Sequence, residues 1–237
     1  MISDILLFPA LFLIAGAMIL PLLGKSIRPY LFLLFPILAL VSMWMMPEGY
    51  SLTAPFADYT LNPVRLDKLS RIFGTIFALT AIISGVYAIH MKELGQQTSA
   101  LVYAGGALGV TFAGDWFTFL IFWETMAISS TYLIWARRTE SAKNAGMRYL
   151  VYHALGGGLL LAGIVWHLHS TGSLAVEALP EVYTPASVLI LLGIAINTAL
   201  PPLHAWLPDA YPKATVTGAV FMSAFTTKSA VYALIRV

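Results

Sequence analysis

Residues 98–135 form a near-continuous apolar run of 38 residues, and few folds can accept such a run. A helix crosses about 30 Å of hydrocarbon with about 20 apolar residues, so one crossing at ordinary tilt cannot absorb it. Ala113-Gly114-Asp115-Trp116 stands in the middle and reads as a turn followed by a helix N-cap. The run is therefore two bilayer-spanning helices with a very short connection. Composition agrees, because the chain is 59% hydrophobic and 10% charged, against roughly 25% charged residues in a soluble domain.

The same length criterion gives an all-α polytopic membrane protein of about eight spans: residues 5–23, 30–46, 69–90, 98–113, 116–135, 147–167, 186–206 and 215–234. The N-terminus lacks a basic leader region and a small-residue cleavage site, so 5–23 reads as a retained span. Pro201-Pro202 breaks the seventh span, because each proline removes a backbone donor and crowds the turn before it. The longest connection, 47–68, alternates Tyr, Leu and Thr around Ala-Asp and Asn-Pro turn signals and suits an extramembrane hairpin. Residues 139–148 read as a polar bend.

Cations orient the chain, since cytoplasmic loops carry the Lys/Arg excess. Odd-numbered connections carry Lys25, Arg28, Lys92, Arg137, Arg138, Lys143, Arg148 and Lys213, eight in all, against four on the other side, Arg65, Lys68, Arg71 and Arg236. That bias puts both termini outside, in the cytoplasmic membrane of a bacterial or archaeal cell.

Five polar residues at membrane depth draw attention. Glu124 lies nine residues into the fifth span, about 13 Å along a helix, too deep to reach an interface. It is either protonated or paired, and the plainer reading is an acid that only glues helices by a hydrogen bond. Thr131, at heptad spacing, could face the same interior. Lys228 lies about 13 residues into the last span; it either snorkels toward an interface or releases a proton, since desolvation favours a neutral amine. His204 follows the proline pair and is either interfacial or a proton carrier. His153 precedes Gly156-Gly157-Gly158, where small residues let a neighbouring helix approach. Asn197 carries no proton but can hydrogen-bond a water or a carboxylate. Asp115 and Asp209 read as helix-terminus or interfacial acids, and His90, His167 and His169 fall at span ends.

Several chemistries are excluded or unsupported. With no cysteine, thiolate metal sites and iron–sulfur ligation are out, and no metal-ligand spacing or phosphate loop is present. The expectation is no cofactor and no metal. A net charge of +2 is too small to imply nucleic acid.

FWE in the fifth span, PLHAWLPDAYPKATVTGAVF across the seventh connection and TTKSAVYALIR in the eighth resemble one family. The chain is similar to the proton-conducting antiporter-like subunits of respiratory complex I, membrane-bound hydrogenases and Mrp-type sodium/proton antiporters, the Mrp type above all. The resemblance implies two inverted five-helix repeats, each with a broken helix at the midplane. It divides this chain into 1–68 (two helices and the hairpin), 69–97 (a third helix and its connection) and 98–237, the first repeat, with the second repeat absent.

The resemblance also implies that Glu124, Lys228 and His204 occupy the family's proton-path positions, with Asn197 and His153 in weaker roles. Asn197 stands where the family often has a lysine paired with the glutamate. The expected function is proton or sodium-coupled translocation within a multisubunit complex, beside a chain supplying the second repeat. The competing expectation is a non-conducting accessory subunit. Any enzymatic role would come only through a quinone-reductase-like or hydrogenase-like assembly, since no redox site is visible in the chain.

Overall fold

The computed structural model describes residues 8–179 and 181–237. The first helix, α1 (Pro9–Ile19), continues into a 3-10 turn, Leu20–Leu22, and α2 (Arg28–Met45) follows. The first part of the span expected from residue 5 lies outside the described residues. Two antiparallel strands come next, β1 (Ser51–Phe56) and β2 (Tyr59–Arg65), as the 47–68 pattern predicts. Ala57 turns the hairpin at φ +50°. The register slips between Leu52 and Ala54, because Asn62-Pro63 adds a residue to the opposite strand.

The helices α3 (Lys68–Tyr87), α4 (Leu94–Phe112), α5 (Trp116–Trp135) and α6 (Glu140–Thr171) form the body. Short-chain polar residues start three of these helices. Asp67 and Ser70 form a reciprocal capping box on α3, Asp115 accepts from Thr118 N on α5, and Thr139 accepts from Ala142 N on α6. The Gly114-Asp115 turn therefore divides the apolar run where the sequence predicts it. α4 is buried on nearly every side, packed by α1, α3 and α5.

The C-terminal third is more broken. α7 (Pro185–Thr198) ends at Ala199 in the left-handed region, φ +58°, and the chain turns through Pro201-Pro202 into the short helix α8 (Trp206–Ala210). Then come α9 (Val216–Ala224) and α10 (Thr226–Arg236).

Four expectations need correction. The 139–148 bend is helical from Glu140, because Thr139 caps it and no Pro or Gly interrupts residues 140–145. The fourth helix begins at Leu94 rather than residue 98, since Gln96 and Gln97 are buried by partners and not solvated at a span end. Gln97 donates to Met91 O, and Gln96 accepts from Thr215. The seventh helix proper stops at Thr198 instead of running to residue 206. The eighth is kinked at Phe225, where the break is held by side chains that no local pattern announces.

Among the described residues, five helices are long and apolar enough to cross a membrane: Arg28–Met45, Lys68–Tyr87, Trp116–Trp135, Glu140–Thr171 and the kinked Val216–Arg236. The other expected segments form shorter apolar helices or, at α4, one diluted by the glutamines.

Two polar rims close the bundle. At the hairpin rim, Asn62 N donates to Asp115 at 2.8 Å, Arg65 donates to Val176 O, and Arg236 pairs with Asp67. Asp67 is desolvated, yet the Arg236 guanidinium and Ser70 hold its carboxyl below the usual carboxylate range. At the opposite rim, Arg138 pairs with Glu93 at 2.8 Å, and Arg148 and Lys213 both pair with Asp209.

Candidate functional site

Asp115 caps α5 nine residues before Glu124. The Glu124 side chain meets α6 at Gly157, where an added Cβ would overlap Oε1. Glycine is required there by close approach rather than by backbone angle. Oε1 is fully enclosed and has no hydrogen-bond partner in the described protein, and no ion pair reaches Glu124 among the described residues.

His153 lies one helical turn before Gly157, on the same face of α6. Its ring is 1% exposed, so it is no interfacial histidine. It stacks on Tyr149 at 4.0 Å between centroids and meets the Trp206 edge at 4.6 Å. Neither ring nitrogen has a partner in the described protein.

Asn197 comes from the last turn of α7 and is 4% exposed. Its Oδ1 also lacks a partner and stands 3.4 Å from where a Cβ on Gly156 would be. The two helices touch closely here: a Cβ on Gly193 would come within 2.7 Å of Gly156 O. Glu124, His153 and Asn197 are thus gathered by the 153–157 turn of α6, with four polar atoms unmet.

The break after α7 is built rather than frayed. Leu200 N donates to Ala195 O, and Trp206 Nε1 donates to Ile196 O at 2.8 Å, so carbonyls orphaned by the interruption are satisfied. Trp206 therefore both fixes the break and walls one side of His153.

His204 and Lys228 lie outside this group. His204 is exposed on the turn between α7 and α8. Lys228 is exposed on α10, and its Nζ donates to Ser223 O at 2.6 Å, satisfying a carbonyl freed by the Phe225 kink. Thr131 is buried but bonds back to Ala127 O on its own helix.

A second buried network had no sequence signal beyond scattered hydroxyls. Ser130 Oγ meets Tyr149 Oη at 2.8 Å, and Tyr149 Oη lies 3.5 Å from Thr226 Oγ1. Thr226 in turn bonds Tyr103, whose hydroxyl also accepts from Thr226 N at 2.9 Å. This network meets the first orphaned amide of α10 and ties the kink to α4, α5 and α6.

Asp209, by contrast, sits in a paired rim site. Arg148 grips it with two bonds of 2.7 and 3.0 Å, Lys213 adds one of 2.6 Å, and these partners pull its carboxyl down to about 2.

These features have relatives. Residues 113–237 match the family described as NADH:quinone oxidoreductase/Mrp antiporter, TM, and the matched segment is more than half of the chain. The chain belongs to that family, a class of antiporter-like subunits of membrane complexes. It is 32% identical over 191 residues to NADH-quinone oxidoreductase subunit M of Escherichia coli, covering 72% of this chain and 38% of that one. It is 26% identical over 195 residues to hydrogenase-4 component B of the same organism, covering 77% and 29%. Its backbone also superposes on a chain of the Mrp complex from Dietzia with a TM-score of 0.86 at 22% identity, covering 97% of this chain and 28% of that one. The chain thus spans about a third of the length of these curated relatives.

Proposed function

We propose that the chain is an ion-translocating subunit of a multisubunit membrane complex and that protons move through a hydrated chamber between Glu124, His153 and Asn197. One observation carries this reading: three helices bring Glu124 Oε1, both His153 nitrogens and Asn197 Oδ1 into the interior without partners among the described residues. Leaving such an atom unmet costs about 1–3 kcal/mol, and polar sites of this kind are ordinarily met by water. Family membership supports the same class of activity.

Each group has a task in this scheme. Glu124 binds and releases the proton, and His153 shares it from the adjoining helix. Asn197, neutral at any pH, orients water between them. His204 exchanges protons with the aqueous side at the helix break. Lys228 passes charge to a neighbouring chain, because an ammonium on a bilayer-spanning face is costly against lipid. The neighbour supplies the second repeat to the five-helix repeat of residues 98–237. The chain crosses the cytoplasmic membrane of a bacterial or archaeal cell about eight times, with both termini outside. The transported ion is the proton, alone or exchanged for sodium.

Ion flux in membrane vesicles carrying the intact complex tests this reading. Glu124→Gln and Lys228→Ala should each abolish coupled transport while the complex still assembles; wild-type flux in both would sink the proposal. The accessory, non-conducting reading is favoured by one observation: among the described residues no cation stands beside Glu124, where Asn197 takes the place of a lysine. Unchanged flux in the two variants would establish it instead.

A further inference from the structure

Where α2 ends and α3 begins, a groove of about 430 Å³ opens on the outer face of the bundle at the hairpin rim. It is lined by Trp44, Lys68, Arg71, Ile72, Thr75 and Ile76. Five of these belong to α3 and lie at i, i+3, i+4, i+7 and i+8, a single helical face. The two cations occupy the first turn. The isoleucines follow, so that the face runs about 12 Å from Lys68 to Ile76 toward the bilayer interior, with both isoleucines well exposed at 58% and 49%.

The charged end is built rather than merely solvated. Arg71 donates Nη2 to Met46 O at 2.8 Å, which fixes the guanidinium 5.6 Å from the Trp44 ring centroid. Its Nε is enclosed without a partner. Lys68 is 87% exposed, and its ion pair to Glu48 is 3.9 Å long. Two cations against the one acid, Glu48, that pairs with Lys68 leave a net positive site directly above an apolar trough, beside the Trp44 indole, a residue type of aromatic belts.

We infer that this groove binds one anionic phospholipid, with its headgroup phosphate between Lys68 and Arg71 and an acyl chain along Ile72 and Ile76. Charge complementarity selects the anionic class, and the trough selects a lipid over a free anion. A zwitterionic lipid would present its ammonium to the same two cations and gain less.

Spin-labelled phosphatidylglycerol and phosphatidylcholine, compared on the intact complex in phosphatidylcholine bilayers, test the inference. The wild type should retain phosphatidylglycerol preferentially. Lys68→Gln with Arg71→Gln should lower that preference about fivefold per charge removed. Ile72→Trp, which leaves both charges and the Met46 contact in place, should lower it by filling the trough. Arg71→Lys should keep most of it. An undiminished preference in the double variant, or in Ile72→Trp, would overturn the site. So would full displacement of the lipid by millimolar inorganic phosphate, since the acyl chain would then contribute nothing.

Discussion

Two polar clusters sit on neighbouring stretches of the same helix, and they are built in opposite ways. At the rim end of α6, Arg148 meets Asp209, and Lys213 completes the set. Five residues further along, His153 begins a cluster in which four polar atoms face the interior with no hydrogen-bond partner among the described residues. Donors and acceptors are matched at the rim, where water could have served anyway. They are unmatched in the interior, where an unmet group costs most. Matched charges hold the break after α7 to the rim, whereas the interior group stands without partners among the described residues. Trp206 walls that group, closing the break at Ile196 O and packing against His153.

Substitutions should separate the two clusters. The largest effect belongs to Glu124→Gln, which keeps the shape and removes the titrating proton. Flux in vesicles should fall on the order of 10²-fold, with the amount of assembled complex unchanged. His153→Phe should follow, with a fall of about tenfold in flux. Its stability should hold or rise, because the ring stacking on Tyr149 survives and two unmet polar atoms disappear. A stability loss with normal flux would make His153 a packing residue. Gly157→Ala pushes a methyl into Glu124 and should cost about 1–3 kcal/mol in denaturation, with reduced flux.

The smallest effect belongs to the rim. Asp209→Asn should lower the thermal midpoint by about 2 °C and leave flux intact, since exposed ion pairs contribute little. Its pH dependence has a definite sign. The folded carboxyl titrates at about 2, below the ordinary aspartate value of 3.8. Its pairing therefore stabilises fully above about 4 and is lost as the pH falls toward 2. The difference in midpoint between wild type and Asp209→Asn should shrink over that window and be constant above it.

Much of this arrangement is legible in the amino-acid sequence where local chemistry decides it. Asp115 as the cap of the fifth helix follows from Ala-Gly-Asp-Trp within an apolar run, and the hairpin follows from alternation and turn residues. The broken seventh helix follows from its prolines. Where distant partners decide, the chain is silent. Nothing at Phe225 breaks a helix locally; the kink rests on Tyr103 taking the Thr226 amide and Lys228 taking Ser223 O. Lys228 reads as a residue close to mid-span from its depth alone, yet it lies on the exposed face of α10. Depth is a property of sequence position, but facing depends on which neighbours α10 packs against, here α7 and α4. His153 shows the converse. Its glycine neighbours suggest packing, and it is indeed packed, but its nitrogens are left unmet.

Proton movement through the interior cluster requires that it be wet. A structure of the intact complex, at a resolution that shows ordered water, is the decisive measurement. Waters should stand about 2.7–3.2 Å from Glu124 Oε1, a His153 nitrogen and Asn197 Oδ1, in one connected file. A dry interior at Glu124, His153 and Asn197, with apolar side chains closing over all three, would contradict it.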